Sequence, residues 1–138
     1  MNLNLHLKIV GVIMITLAAA HVYFPKRFGW REELEKVSLL TRQIFYVHCF
    51  FISLVLLLVG MLSLFGTEHL LQQTPLAKMV LAGLTLFWGI RLVIQFFVYD
   101  SKLWRGNAFN TTMHILFSLM WTYYLTVYGV ALWRQLGK

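Results

Sequence analysis

Charge is what this chain has least of. Only 12% of its 138 residues are Asp, Glu, Lys or Arg, against about a quarter in soluble globular domains. Five residues are acidic, and none of them falls inside the four long apolar runs described below. That excludes paired carboxylates and Ser–His–carboxylate sets within those runs, and an acidic proton relay across them. No histidines or glutamates stand at HxxxH, HxxH or ExxH spacing, so no single helix carries a ready-made metal-binding pair. The single cysteine, Cys49, excludes an internal disulfide and reports nothing about redox compartment.

Apolar residues fill the space that charge leaves. The chain is 59% hydrophobic and 16% aromatic, with a mean hydropathy of +0.71. There is too little polar surface to cover a globule, so the bilayer is the expected solvent. The net charge of +7 then reads as an orientation signal against anionic lipid, with no nucleic-acid partner implied. Four apolar segments run over about residues 7–24, 44–65, 79–99 and 112–133. Each is close to the ~20 residues that cross the hydrocarbon core. The expected fold is all-α: one polytopic domain over 1–138, a four-transmembrane-helix bundle. The N-terminal run with its "AAA" imitates a signal peptide, but His21 fits the pattern of the other helices and argues for a retained span.

Between the first two spans, Glu32, Glu33 and Lys36 alternate with Leu34, Val37 and Leu40 at helical spacing. This predicts an amphipathic helix over about 30–42, on the membrane surface or as a solvated cap. Tyr23, Trp30, Tyr46, Tyr99, Trp104 and Trp133 lie near expected span ends, as an interfacial belt requires. The face after the first span carries Lys26, Arg27, Arg31, Lys36, Arg42, Lys102 and Arg105, against Lys8, Lys78, Arg134 and Lys138 on the other. Seven against four places the first face in the cytoplasm and both termini outside, with the bacterial inner membrane as the expected location. A reporter fused after Lys138 is therefore expected to be active only outside the cytoplasm; cytoplasmic activity would invert the topology. "HVYFPKRFGW" (21–30) and "QFFVYDSKLW" (95–104) each run from a polar residue to a tryptophan nine positions on, so the chain reads as two related hairpins or as a chance echo of interfacial aromatics.

The polar residues inside the spans carry the functional expectation. His21 ends the first span, His48 and His114 begin the second and fourth, and Gln95 ends the third. At 1.5 Å per residue all four lie roughly 3–6 Å below the same face. Arg91 stands one turn deeper, aligned with Gln95 at i,i+4. Thr111, His114, Ser118 and Thr122 form a polar stripe on the fourth span. Taken singly, each histidine reads as an interfacial ring bonded to a neighbouring carbonyl, and Arg91 as a side chain snorkelling towards Asp100. Taken together they predict a pocket of His21, His48, His114, Arg91, Gln95 and Ser118. His6 and His69 lie at the other face or in loops, and Cys49 points about 100° away from His48; none of these joins the pocket.

Four occupants suit such a pocket. The leading one is haem b for electron transfer, with His48 and His114 as axial ligands, Arg91 or loop cations on the propionates, and aromatic walls from Phe45, Phe50, Phe51, Phe87, Trp88, Phe96, Phe117 and Trp121. The alternative is a quinone or lipid whose head takes the Arg91, Gln95 and histidine donors, the protein then being a non-catalytic accessory subunit of a larger membrane complex. A bare divalent metal is disfavoured by the neighbouring guanidinium. A purely structural role for the polar groups, holding helices, subunits or a homo-oligomer together, completes the set.

Overall fold

The computed structural model describes residues 1–100, 102, 104 and 106–137. It is all-α among these residues: α1 (Leu3–His21), α2 (Phe24–Arg27), α3 (Trp30–Leu34), α4 (Leu39–Phe65), α5 (Thr67–Leu71), α6 (Pro75–Phe97) and α7 (Ala108–Leu136). Four of these, α1, α4, α6 and α7, are long and apolar enough to cross a membrane. Their outward positions stay apolar: Val12 on α1, Phe50 and Leu58 on α4, Leu86 and Val93 on α6, and Ile115 and Leu119 on α7 are exposed. Water would disfavour that surface and lipid tails do not. The protein is accordingly a multi-pass membrane protein.

Capping side chains set where these helices begin. Ser38 accepts from the Thr41 N–H at 3.2 Å, Thr74 from the Ala77 N–H at 3.1 Å, and Asn107 from the Asn110 N–H at 3.1 Å. Pro75 then occupies the first turn of α6, where its missing N–H costs nothing. Each helix thus starts four or five residues before the apolar run expected from hydropathy. The 27 residues of α4 and 29 of α7 span about 40 Å, more than the ~30 Å of hydrocarbon. Hydropathy reads the hydrocarbon depth, whereas the helix continues into the headgroup zone as far as its cap.

The surface helix expected over 30–42 is not continuous. Trp30–Leu34 is helical, the chain then turns, and the rest of the stretch from Leu39 belongs to the first turn of α4. Ser38 is the reason, since its extended backbone (ψ 152°) and its hydroxyl cap start a new helix there. Upstream, Gly29 sits at φ 63°, a left-handed turn that glycine adopts without strain, and it separates α2 from α3.

The chain divides into two compact units, Leu5–Thr67 and Met1–Asn4 with Glu68–Lys138. In the first, α1 and α4 meet at glycines. A Cβ placed on Gly11 would lie 2.7 Å from the Gly60 carbonyl oxygen and 2.7 Å from the Leu64 nitrogen. Nearby, the Ser53 hydroxyl donates to the Ala18 carbonyl at 2.9 Å. Small residues that let backbones touch are how helices associate where no hydrophobic force separates protein from lipid. In the second unit α6 and α7 pack antiparallel. Buried Ala77, Leu81, Trp88 and Gln95 on α6 and Trp121, Tyr124, Tyr128, Ala131 and Gln135 on α7 fall at heptad-like spacing. Trp88 stacks on Trp121 with centroids 5.0 Å apart and meets the Tyr124 ring edge-on at 4.8 Å.

Candidate functional site

The α6–α7 hairpin brings three of the expected residues together. Arg91 Nη1 donates to Gln95 Oε1 at 3.4 Å. Gln95 Nε2 lies 2.8 Å from His114 Nδ1. The i,i+4 alignment of Arg91 and Gln95 on α6 makes the first contact, and the antiparallel register of α7 makes the second.

The order of donors along this relay fixes the imidazole. A guanidinium can only donate, so the Gln95 atom facing it is the carbonyl oxygen. The Gln95 amide nitrogen therefore faces His114 and donates to Nδ1, which must be unprotonated. In the neutral ring the proton then sits on Nε2, a nitrogen with no partner among the described residues. The relay thus turns His114 into a hydrogen-bond donor at Nε2.

Aromatic surfaces hold the ring in place. Trp104 stacks on His114 with centroids 3.9 Å apart and planes 14° from parallel, while Phe96 meets it edge-on at 6.0 Å. Trp104 is itself anchored, because the Thr111 hydroxyl donates to its carbonyl at 2.7 Å. In sequence Trp104 reads only as an interfacial aromatic, and its place nine residues after Gln95 is the sole trace of this stack.

Arg91 is half-buried, with its guanidinium carbon 5.0 Å from the Trp121 ring centroid and 5.7 Å from that of Tyr99. No carboxylate pairs with it among the described residues, and Asp100 accepts instead from the Lys102 N–H at 2.9 Å. Two cation–π contacts at ~0.5–2 kcal/mol each offset much of the ~2.5–3.5 kcal/mol that an intramembrane arginine costs. They do not use its N–H groups. One long hydrogen bond occupies one of five donors, so most of the fork stays available to an oxygen-bearing partner.

The other expected residues are arranged differently. The Ser118 hydroxyl donates to the His114 carbonyl at 2.7 Å, and the Thr122 hydroxyl to the Ser118 carbonyl at 2.8 Å. Their protons are spent inside α7, which leaves only their lone pairs for a ligand. In the first unit His21 Nδ1 lies 2.7 Å from the Leu17 carbonyl and His48 Nδ1 2.8 Å from the Ile44 carbonyl. These are the neighbouring-carbonyl bonds expected of interfacial histidines taken singly. A carbonyl only accepts, so both rings hold a proton on Nδ1, and in the neutral ring the lone pair is then on Nε2, the opposite tautomer to that of a neutral His114. Among the described residues no group of three or more His, Cys, Asp or Glu is placed to hold a metal ion.

Of the expected aromatic walls, Trp88 and Trp121 are buried, whereas Phe50, Phe51, Phe87 and Phe96 are exposed as lipid-facing rings. Trp88 Nε1, Trp121 Nε1 and the Tyr124 hydroxyl are buried with no hydrogen-bond partner among the described residues. Ring stacking, not hydrogen bonding, holds the middle of this hairpin. The chain matches no family model, no curated protein and no solved structure at a significant level.

Proposed function

We propose that the α6–α7 hairpin binds a quinone, whose carbonyl oxygen accepts from His114 Nε2–H and the Arg91 guanidinium. The observation that carries this reading is the Arg91–Gln95–His114 relay, which leaves unused donors on two side chains of one hairpin. A flat ring has a matching surface in the half-buried Trp104, and an isoprenoid tail needs only the apolar helix faces that are exposed to lipid. The role is binding; no group here is assigned as a catalytic base.

Haem b is the second reading, favoured by the Nε2 lone pairs of His21 and His48, since Nδ1–H bonded to a carbonyl is how ligating histidines are commonly held. His114 fits it less well as an axial ligand. Coordination through Nε2 needs the proton on Nδ1, hence a reversed Gln95 amide, which would turn its NH2 group towards Arg91.

Titration of the purified protein with a short-chain quinone, read by tryptophan fluorescence, separates these readings. Saturable quenching is expected, and His114→Phe, which keeps a flat ring against Trp104 but loses the N–H, should weaken it about five- to tenfold, the worth of one hydrogen bond. Oleate should not compete; equal competition would move the assignment to a carboxylate-headed lipid. A Soret band with sharpened reduced α/β bands, abolished by His48→Ala, would replace the quinone reading with the haem one.

A further inference from the structure

The connection between α1 and α4 keeps apolar side chains exposed. Val22 is 83% exposed, Tyr23 59% and Phe28 41%, a surface that water disfavours. We infer that this connection is immersed in the membrane interface, with its apolar side chains among lipid and its cations at the phosphates. Depth carries the inference. The Trp30 ring meets the Phe45 ring of α4 edge-on, with centroids 5.0 Å apart. Phe45 lies six residues beyond the start of α4 at Leu39, about 9 Å along the helix. It is the second residue of the apolar run that begins at 44. The lean of a helical side chain towards the helix N-terminus takes back only about one residue of that depth. Trp30 therefore stands near the edge of the hydrocarbon, and the chain dips to reach it before it rises to the start of α4.

A row of rings holds the dip in place. His21, the last residue of α1, meets Phe24 with centroids 4.8 Å apart. Phe24 meets Phe28 edge-on at 5.7 Å, and Phe28 lies 20° from parallel to Trp30 at 6.2 Å. With the Trp30–Phe45 contact these rings run unbroken from α1 to α4, so the connection is fastened to the side of a span at both ends. Lipid is the occupant of its exposed face because that face continues one already in lipid: Ile44 and Val47, at the start of the apolar run of α4, are exposed as well. Charge fits the same partner. Five Lys or Arg stand against three Glu between residues 22 and 42, and Lys26 and Arg31 are exposed. The pair of Arg31 with Glu35, at 3.6 Å, is open to solvent on both sides and holds the guanidinium only weakly. Aromatic rings with cations snorkelling above them are the make-up of a membrane interface, and the cations favour anionic headgroups there.

The test is a spin-label depth measurement on the full chain in bilayers of phosphatidylcholine and phosphatidylglycerol. Cys49→Ala removes the single cysteine, and Val22→Cys or Phe28→Cys then places a nitroxide on the connection. Collisions with oxygen, which concentrates in lipid, and with a neutral water-soluble nickel chelate report what surrounds it. Both labels are expected to be rich in oxygen collisions and poor in nickel collisions, at a depth between a free aqueous nitroxide and a label at Val55→Cys in the middle of α4. Trp30→Ala, added to Phe28→Cys, should raise nickel collisions about two- to tenfold, the shift in equilibrium that loss of one aromatic pair gives. Should a Phe28 variant fail to fold, Val22→Cys in the otherwise intact connection decides the matter. Labels as open to nickel as the free nitroxide would show a solvated cap and overturn the inference. Labels shielded from both reagents would mark a protein contact, such as a second copy of this chain, and overturn it too. So does a depth unchanged by Trp30→Ala.

Discussion

Replacing Arg91 by leucine is expected to weaken quinone binding by about 10- to 100-fold, because a hydrogen bond to a charged group contributes ~1.5–3 kcal/mol. The loss has two parts. The guanidinium no longer donates to the ligand oxygen. Gln95 also loses the donor that fixes its amide, so His114 is free to exchange tautomers and spends part of its time with no proton on Nε2. Insertion into the membrane should not suffer, since leucine removes the cost of an intramembrane charge. Arg91→Lys should restore only part of the affinity, because a point charge keeps the attraction but loses the planar fork and its stacking on Trp121. The measurement is the fluorescence titration described above, with expression level and detergent monodispersity as controls. Full affinity in Arg91→Leu would show that Arg91 serves only to pack against Trp121 and Tyr99.

The second large effect concerns the α1–α4 crossing. Gly11→Leu is expected to separate the two helices and to prevent recovery of a monodisperse protein. A Cβ there meets the backbone of α4 at 2.7 Å, and backbone cannot rotate out of the way as a flexible side chain can. Gly11→Ala should already lower stability by about 1–3 kcal/mol, the usual cost of overpacking. Gly60→Ala should be milder, because the nearest atom is the Ile15 Cγ1 at 2.9 Å, in a side chain that can shift, although the Gly11 carbonyl follows at 3.1 Å. Gly83 is the internal control. Nothing lies within 4 Å of a Cβ placed there, so Gly83→Ala should be neutral or stabilise by up to ~1 kcal/mol through helix propensity. Thermal unfolding in detergent gives the ranking Gly83→Ala, Gly60→Ala, Gly11→Ala, Gly11→Leu from least to most damaging. A Gly11→Ala variant as stable as Gly83→Ala would remove the crossing from the account of what holds this hairpin together.

The sequence by itself determined the solvent of this protein, its all-α class, the four spans and the shared stripe of Arg91 and Gln95. Each of these is a local property. Hydropathy is a sum over neighbouring residues, and i,i+4 alignment follows from 3.6 residues per turn. The helices start four or five residues before the apolar runs because capping by Ser38, Thr74 and Asn107 operates beyond the hydrocarbon, where hydropathy has no signal. The partners were decided only by tertiary structure. His21, His48 and His114 look alike in the sequence, yet Nδ1 of the first two faces a carbonyl of its own helix, whereas His114 Nδ1 faces the Gln95 side chain on α6. The tautomer that separates them depends on which atom faces each Nδ1, and that is set by the register of α7 against α6. The same holds for Gly11 and Gly60, two glycines among nine in the chain, which matter because their helices cross there. In a soluble protein the apolar stripe of each helix would have marked the contact face. Here lipid accepts apolar side chains on every other face, so the pattern that fixes the spans cannot also say which face meets which.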